Sequence, residues 1–421
     1  MRDHELTAGD ADAIIEDLRS GLPPRRFASH YSVGHERFLR GVRRRLLDAP
    51  SDRGRIRFVS GSWGSGKTHF LRLLQETAFD AGFLVSSVEL SSDQAPFNKF
   101  ELVFSEIVRS ITSPSMYERD DVAVAAPFGR VLEEALLSDS ETGGETIHAV
   151  LDSKRDALMA ATEIDIDVRR LVAAYWDTFA AETEDTGALE ERRGLLLQWF
   201  AGEGHATTFR KEFGLQKTVK RENARLILGS LVALIRHLGH QGLVVLFDEA
   251  ETTHSTMRKS NLRQAHNNLL ALINGIEETN GALLIYASVP EFFTDERTGI
   301  KVYGALAQRI GQPKDAPPRA VDRIWNIDEL AHDEADFALA ARRIRSIYVT
   351  AFPELDDDVD DEALTSFVKG LVAEHPRYGQ VSVWRVVVQG VIRYLDDVTD
   401  DGEPPPPEQV HRDVMDMIRD D

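Results

Sequence analysis

The sequence contains no cysteine, which removes disulfides, thiolate zinc sites and cysteine nucleophiles from its chemistry. Long hydrophobic runs are missing too. The longest fall well short of the about 18 apolar residues that a membrane-spanning helix requires, and no basic-then-apolar leader opens the chain, so a cytoplasmic protein without membrane association is expected. Positive charge is in deficit, with 49 Lys and Arg against 70 Asp and Glu and a formal net charge of -21. Because phosphate backbones are held by Lys and Arg, this balance excludes a broadly basic nucleic-acid surface, although not a local one. Two basic clusters run from Arg37 to Arg45 and from Arg210 to Arg221. For both, a solvated helix face is the plainer reading and a DNA contact the bolder one. Acidic residues gather instead at Asp356–Asp361 and towards the carboxyl end.

What the chain does have is size, with 421 residues and 42% hydrophobic content, enough for two or three domains. It also has the octapeptide Gly61-Ser62-Trp63-Gly64-Ser65-Gly66-Lys67-Thr68, which fits the Walker A pattern G-x-x-x-x-G-K-[ST] at every fixed position. A strand pattern, Arg55–Ser60, precedes it and a helical apolar pattern from His69 follows it. A chance Gly/Ser-rich turn would lack that strand-to-helix setting. Backbone N–H groups over Gly61, Ser62, Gly64, Ser65, Gly66, Lys67, Thr68 and His69 are therefore expected to cradle a triphosphate, with Lys67 reaching the β- and γ-phosphates. The Thr68 hydroxyl is placed to bind Mg²⁺ at a helix N-terminus that already favours anions.

Along the chain, a short amphipathic helix over 12–20 is closed by Gly21 and Pro23-Pro24, and a second helix is expected over about 35–48. The Walker strand, a helix to about residue 81 and a strand over 83–90 make a βαβ unit, which implies a parallel sheet covered by helices. A helix over 98–113 follows. Between 115 and 222 the patterns are helical, with polar breaks at Ser138–Glu145 and Glu182–Gly187, and this stretch reads as a helical insertion. A long helix, Glu222–Leu238, leads into the apolar strand Leu243-Val244-Val245-Leu246-Phe247, which delivers Asp248-Glu249-Ala250-Glu251. A strand apolar on both faces belongs at the centre of a parallel sheet, and its acidic tip is a Walker B arrangement. Asp248 is expected to hold Mg²⁺ and Glu249 to polarise an attacking water.

A further strand, Ala282–Ala287, ends in Ser288, whose hydroxyl can touch a γ-phosphate or the lytic water or simply close a strand. The helix Tyr303–Ile310 carries Arg309 near its end, before a candidate strand Arg323–Ile327. A helix C-terminal arginine also balances the macrodipole. Three helices follow, Asp333–Phe352, Asp361–Glu374 and Ser382–Asp396, the last opening Val381-Ser382-Val383-Trp384-Arg385. Arg385 suits a phosphate or a structural carboxylate alike. The tail from Glu403, with Pro404–Pro407, reads as a stiff acidic segment that ends in a short helix.

The segments Ala13-Ile14-Ile15-Glu16-Asp17-Leu18-Arg19-Ser20-Gly21-Leu22-Pro23-Pro24, Val33-Gly34-His35-Glu36-Arg37 and Gly61 through Arg72 together resemble the BREX-system ATP-binding proteins of prokaryotic phage defence (BrxD-like). Arg221-Glu222-Asn223-Ala224-Arg225, ahead of the strand ending Phe247-Asp248-Glu249-Ala250-Glu251, adds to the likeness, which covers most of the chain. More distantly the layout resembles AAA+ ATPases of the origin-recognition type. That resemblance implies Ser288 at the sensor 1 position, Arg309 as an arginine finger acting on a neighbouring subunit, and Arg385 as sensor 2. It also implies that Val33-Gly34-His35-Glu36 stands where those proteins carry Val-Gly-Arg-Glu against the adenine. His35 replaces the arginine, so the base contact falls to Val33 and the backbone.

The expected fold is α/β, an AAA+ P-loop NTPase with a parallel sheet flanked by helices, a helical insertion and a C-terminal helical lid. The expected divisions are an N-terminal helical linker (1–48), an ATPase core (49–114 and 223–330), the insertion (115–222), the lid (331–402) and the tail (403–421). The resemblance implies an ATP- and Mg²⁺-dependent ATPase of a defence system, a homo-oligomeric switch or remodeller acting on DNA or a partner protein such as a helicase. The alternative is a nucleotide-dependent interaction switch with little turnover and no direct DNA binding. A helicase reading would need a second RecA-like domain, for which the mostly helical remainder after Ser288 supplies no pattern.

Overall fold

Two apolar runs build the centre of the sheet. In β4 (Leu243–Asp248) every residue but the terminal Asp248 is buried, and in β5 (Ala282–Ser288) all are. The computed structural model describes residues 5–49, 53–119, 127–143, 147–181, 185–250, 257–330, 332–353, 360–374, 383–401 and 405–420. Glu251, Val381, Ser382, most of Asp356–Asp361, Glu403 and Pro404, and parts of the two polar breaks in the helical stretch lie outside the described residues.

The other strands are β1 (Arg55–Ser60), β2 (Leu84–Glu89), β3 (Ile111–Thr112) and β6 (Ile324–Asn326). The sheet order is β3-β2-β4-β5-β1-β6. β2 runs parallel to β4 from Leu84↔Leu243 to Glu89↔Asp248, and β4 parallel to β5 from Leu243↔Ala282 to Phe247↔Tyr286. β3 is antiparallel on the edge of β2. The result is a mostly parallel sheet flanked by helices, the layout of a P-loop NTPase.

The helices are α1 (Ala8–Arg19), α2 (Glu36–Val42), α3 (Lys67–Asp80), α4 (Phe100–Arg109), α5 (Pro114–Glu118), α6 (Pro127–Gly143), α7 (Ile147–Ala160), α8 (Ile166–Asp177), α9 (Thr186–Phe200) and α10 (Ala206–Phe213). After these come α11 (Ala224–His237), α12 (Lys259–Ile276), α13 (Pro290–Thr294), α14 (Gly304–Ile310), α15 (Glu334–Ala351), α16 (Asp361–Glu374), α17 (Val383–Asp401) and α18 (Pro407–Asp420). The chain divides into two compact units, one of Met1–Arg45, Val59–Thr77 and Pro313–Asp421, the other of Leu46–Phe58 and Ala78–Gln312.

In the second unit, α4 stops short of the 98–113 span expected for it. Ser110 caps it, its hydroxyl bonding Ser86 Oγ at 2.8 Å, and the β-branched Ile111 and Thr112 join the sheet edge instead. The helices α6 to α10 have a core of their own, with Phe128, Trp176, Trp199 and Phe200 buried. Both indoles donate to carbonyls, Trp176 to Leu132 O at 3.0 Å and Trp199 to Lys217 O at 2.7 Å. Fully buried Asp167 on α8 accepts the backbone N–H groups of Gln216 and Lys217 at 2.9 and 2.7 Å, so its charge is met by oriented amide dipoles.

In the first unit, α1 begins earlier than its apolar spacing indicates, because Thr7 and Asp10 form a capping box with Asp10 N–H donating to Thr7 Oγ1 at 3.1 Å. It ends in a Schellman turn, with Leu22 N–H on Asp17 O at 2.9 Å and Gly21 N–H on Leu18 O at 3.0 Å. Its buried face, Ala11, Ile14, Ile15 and Leu18, follows the helical repeat and packs on α15 and α17. Arg19 adds a 2.7 Å ion pair with Asp396 on α17. The terminal helix α18 spans 14 residues, not the short element expected, since Pro407 starts it and Val410 and Val414 are buried, and it packs against α16 and α17. Thr7→Ala leaves the first-turn amides of α1 uncapped and should lower the unfolding free energy, measured in urea, by about 1 kcal/mol.

Candidate functional site

The Gly61–Thr68 loop lies wholly in the first unit. After β1 the chain turns through Gly64 at φ 74° and Gly66 at φ 86°, and α3 starts at Lys67. A Cβ at Gly66 would meet nothing within 4 Å, so backbone conformation, not space, demands glycine there. The first N–H groups of α3 have no intrahelical acceptor, which makes this end a receptor for anions. Lys67 is nearly buried, and its Nζ donates to Gly61 O at 3.2 Å and Ser62 O at 3.4 Å, with the Trp63 ring 5.3 Å away. The Trp63 ring itself is 62% exposed. Thr68 is half-buried, and the buried Ser65 Oγ has no hydrogen-bond partner among the described residues.

The segment around Val33 is also in this unit, and Val33 is buried. Arg343 on α15 donates to Ser32 O and reaches Glu36 at 3.5 Å, which ties the segment to the helical bundle. Here the structure assembles a histidine cluster that spacing does not reveal. His35 lies 6.0 Å from His69 and 5.5 Å from His332, ring centre to ring centre, and Trp384 stands edge-on to His332 at 4.9 Å. Tyr31 Oη is 2.9 Å from His69 Nδ1. Desolvation, together with the neighbouring rings, lowers His35 to about 4 and His69 to about 3. All three rings are therefore neutral near pH 7 and form an uncharged wall. Arg385 Nη2 lies 3.8 Å from where a Cβ on Gly21 would sit.

The second unit holds the carboxylates. Asp248 at the end of β4 is half-buried, and its Oδ1 accepts the Glu249 N–H at 3.0 Å. Glu249 is held at φ 55°, a left-handed conformation that costs an L-residue about 1–2 kcal/mol. Strain of this kind in a non-glycine residue accumulates at functional positions. Ser288 at the end of β5 is fully buried, and its Oγ has no hydrogen-bond partner among the described residues. Arg309 on α14 pairs with Glu277 at 2.6 Å, both side chains 38% exposed. An ion pair that open to water is worth at most about 1 kcal/mol, so Arg309 is easily released to a stronger anion.

In the first unit the left-handed glycines and the Lys67 ammonium make a donor set that suits an anion such as a phosphate, and in the second the Asp248 carboxylate is the kind of oxygen ligand a hard divalent cation takes. Sequence reading missed four residues. Glu277 as partner of Arg309 had no local signal, and neither did His332 or Asp328, which bonds Ser62. Trp384 stood in plain view beside Arg385 but without a reason to choose it.

Unfolded histidine titrates near 6.5, so between pH 6.5 and about 4 the unfolded chain binds protons that folded His35 refuses. The stability conferred by keeping these rings neutral is complete above pH 6.5 and is lost as pH falls. The urea midpoint should drop between pH 7.5 and 5, and His35→Phe should flatten that dependence.

The family model described as BREX system ATP-binding protein BrxC/D matches residues 7–413. No curated protein matches the chain, and no solved structure does.

Proposed function

The chain belongs to the family of the BREX system ATP-binding protein BrxC/D, an ATP-binding protein of phage defence, and from that membership we propose that it hydrolyses ATP with Mg²⁺ as an oligomeric switch or remodeller. The observation that carries this reading is the loop, with Gly64 and Gly66 in the left-handed region and Lys67 held across Gly61 O and Ser62 O at the start of α3.

In this reading the nucleotide supplies a phosphoanhydride bond whose cleavage spreads negative charge over the transferring oxygens. Lys67 offsets that charge on the β- and γ-phosphates, while the N–H groups of Gly64, Ser65, Gly66, Thr68 and His69 fix the rest of the chain of phosphates. Thr68 and Asp248 hold Mg²⁺. Glu249 accepts a proton from the attacking water, and the unpartnered Ser288 Oγ orients that water or a γ-oxygen. Val33 meets the base. Arg385 reaches the phosphates from the helical bundle, and Arg309 leaves Glu277 for the nucleotide of a neighbouring subunit. Gly61 and Ser62 shape the loop.

A second reading has a switch with little turnover and no DNA contact. The Arg309–Glu277 pair favours it, since an arginine retained there would leave the neighbour's charge unmet. For DNA itself the support is confined to exposed residues: Arg37, Arg40, Arg44 and Arg45 in one place, Arg210, Lys211, Lys220 and Arg221 in another.

Glu249→Gln should still bind ATP but turn it over at least about 100-fold more slowly; a wild-type rate would remove Glu249 from the chemistry. Mixed Arg309→Ala and Lys67→Ala subunits, each inactive alone, should recover part of the activity, and an oligomer that recovers none would refute a finger acting between subunits. If duplex and single-stranded DNA at low salt neither bind nor change turnover, the nucleic-acid reading loses to a protein-partner one.

A further inference from the structure

The start of the phosphate loop is gripped by a residue far along the chain. Ser62 donates its backbone N–H to Asp328 Oδ2 at 2.9 Å and its hydroxyl to the same oxygen at 2.7 Å, while Oδ1 lies 3.2 Å from that N–H. Asp328 sits in the 3-10 turn Ile327–Glu329, directly after β6. Its neighbour closes on the same place. A Cβ on Gly61 would lie 2.7 Å from Ile327 Cγ1 and 2.4 Å from Ser65 Oγ, so Ile327 packs flat on the Gly61 backbone.

A trans peptide carries its N–H and C=O on opposite sides. The plane that joins Gly61 to Ser62 cannot aim its N–H at Asp328 without aiming the Gly61 carbonyl the other way, and that carbonyl is the one that accepts Lys67 Nζ at 3.2 Å. One carboxylate thus orients the peptide plane, and the peptide plane orients the ammonium.

We propose that Asp328 is a positioning residue for Lys67: by holding the Gly61–Ser62 peptide plane it keeps the ammonium in place to meet the β- and γ-phosphates of ATP. This rests on the reading of Lys67 as a phosphate ligand given above. A carboxylate near a polyphosphate also repels it, so the two effects have opposite signs and the direction of change on removing the carboxylate separates them. Positioning predicts weaker binding without Asp328, and repulsion predicts tighter binding.

The test uses the full chain, with ATP, ADP and AMP competing against a fluorescent ATP analogue. Asp328→Ala should weaken ATP and ADP about tenfold, the equivalent of one charge-assisted hydrogen bond, and leave AMP unchanged because AMP lacks the phosphates that Lys67 meets. Asp328→Asn keeps an acceptor for the Ser62 amide and should stay within about threefold of wild type. The double variant Lys67→Ala with Asp328→Ala should bind no more weakly than Lys67→Ala alone, since the aspartate acts through the lysine. Unchanged or tighter ATP binding in Asp328→Ala, an Asn variant as weak as the Ala variant, or a further loss in the double variant would each overturn the proposal. If Lys67→Ala itself leaves ATP binding intact, the phosphate-ligand reading fails first, and the two failures are told apart by that single variant.

Discussion

Burial on both faces of β4 and β5 is the constraint from which the rest of this architecture follows. A strand with no face turned to water needs apolar side chains throughout and a helical layer on either side. Parallel neighbours with helical crossovers meet that need, and the crossover geometry brings the carboxyl ends of the strands to one edge of the sheet. Asp248 and Ser288, the polar ends of these two strands, emerge there for that reason. Above them the core is locked by aromatic edges: Phe97 stands perpendicular to Tyr286 at 5.6 Å and near-perpendicular to Phe247 at 5.8 Å. The segment carrying Phe97 is pinned in turn by Asn268 of α12, which donates to Phe97 O at 2.9 Å.

The candidate chemistry collects where regular structure stops. Gly64 and Gly66 turn the chain out of β1 with positive φ, and Glu249 adopts the same region just past β4 without being glycine. In the first case glycine makes the turn inexpensive, and in the second an L-residue bears about 1–2 kcal/mol of strain. The rigid elements on either side are what make such placements reproducible. The neutral histidine wall is a similar device, built by withholding water from His35 and His69 until their charged forms are disfavoured.

Much of the fold was legible because it is written in short periods. The unbroken run Leu243–Phe247 marked a central strand, the Walker octapeptide sat between a strand and a helix as its flanks indicated, and the mostly parallel sheet followed from the βαβ order. Errors came where a local signal competed with a distant one. Ile111 continues the apolar spacing of α4, yet it leaves the helix because β2 offers an edge for it to pair with. The start of α1 was visible only in the Thr7–Asp10 cap and not in its hydrophobic repeat. The tail read as a stiff end with a short helix, and burial of Val410 and Val414 extends it to a full one.

The amino-acid sequence by itself determined the glycine-rich loop between a strand and a helix, the acid-tipped strand, the alternation of strands and helices and the likeness to a defence-system family. These depend on residues within a few positions of one another, so spacing alone expresses them. Only the tertiary structure decided which carboxylate would hold the loop, which glutamate would keep Arg309 and which rings would surround His35. Ser62 and Asp328 are 266 positions apart and Arg19 and Asp396 are 377 apart. No period in a chain records such pairs. They exist because folding brings distant backbones together, after which hydrogen-bond geometry and exclusion of water select the partners.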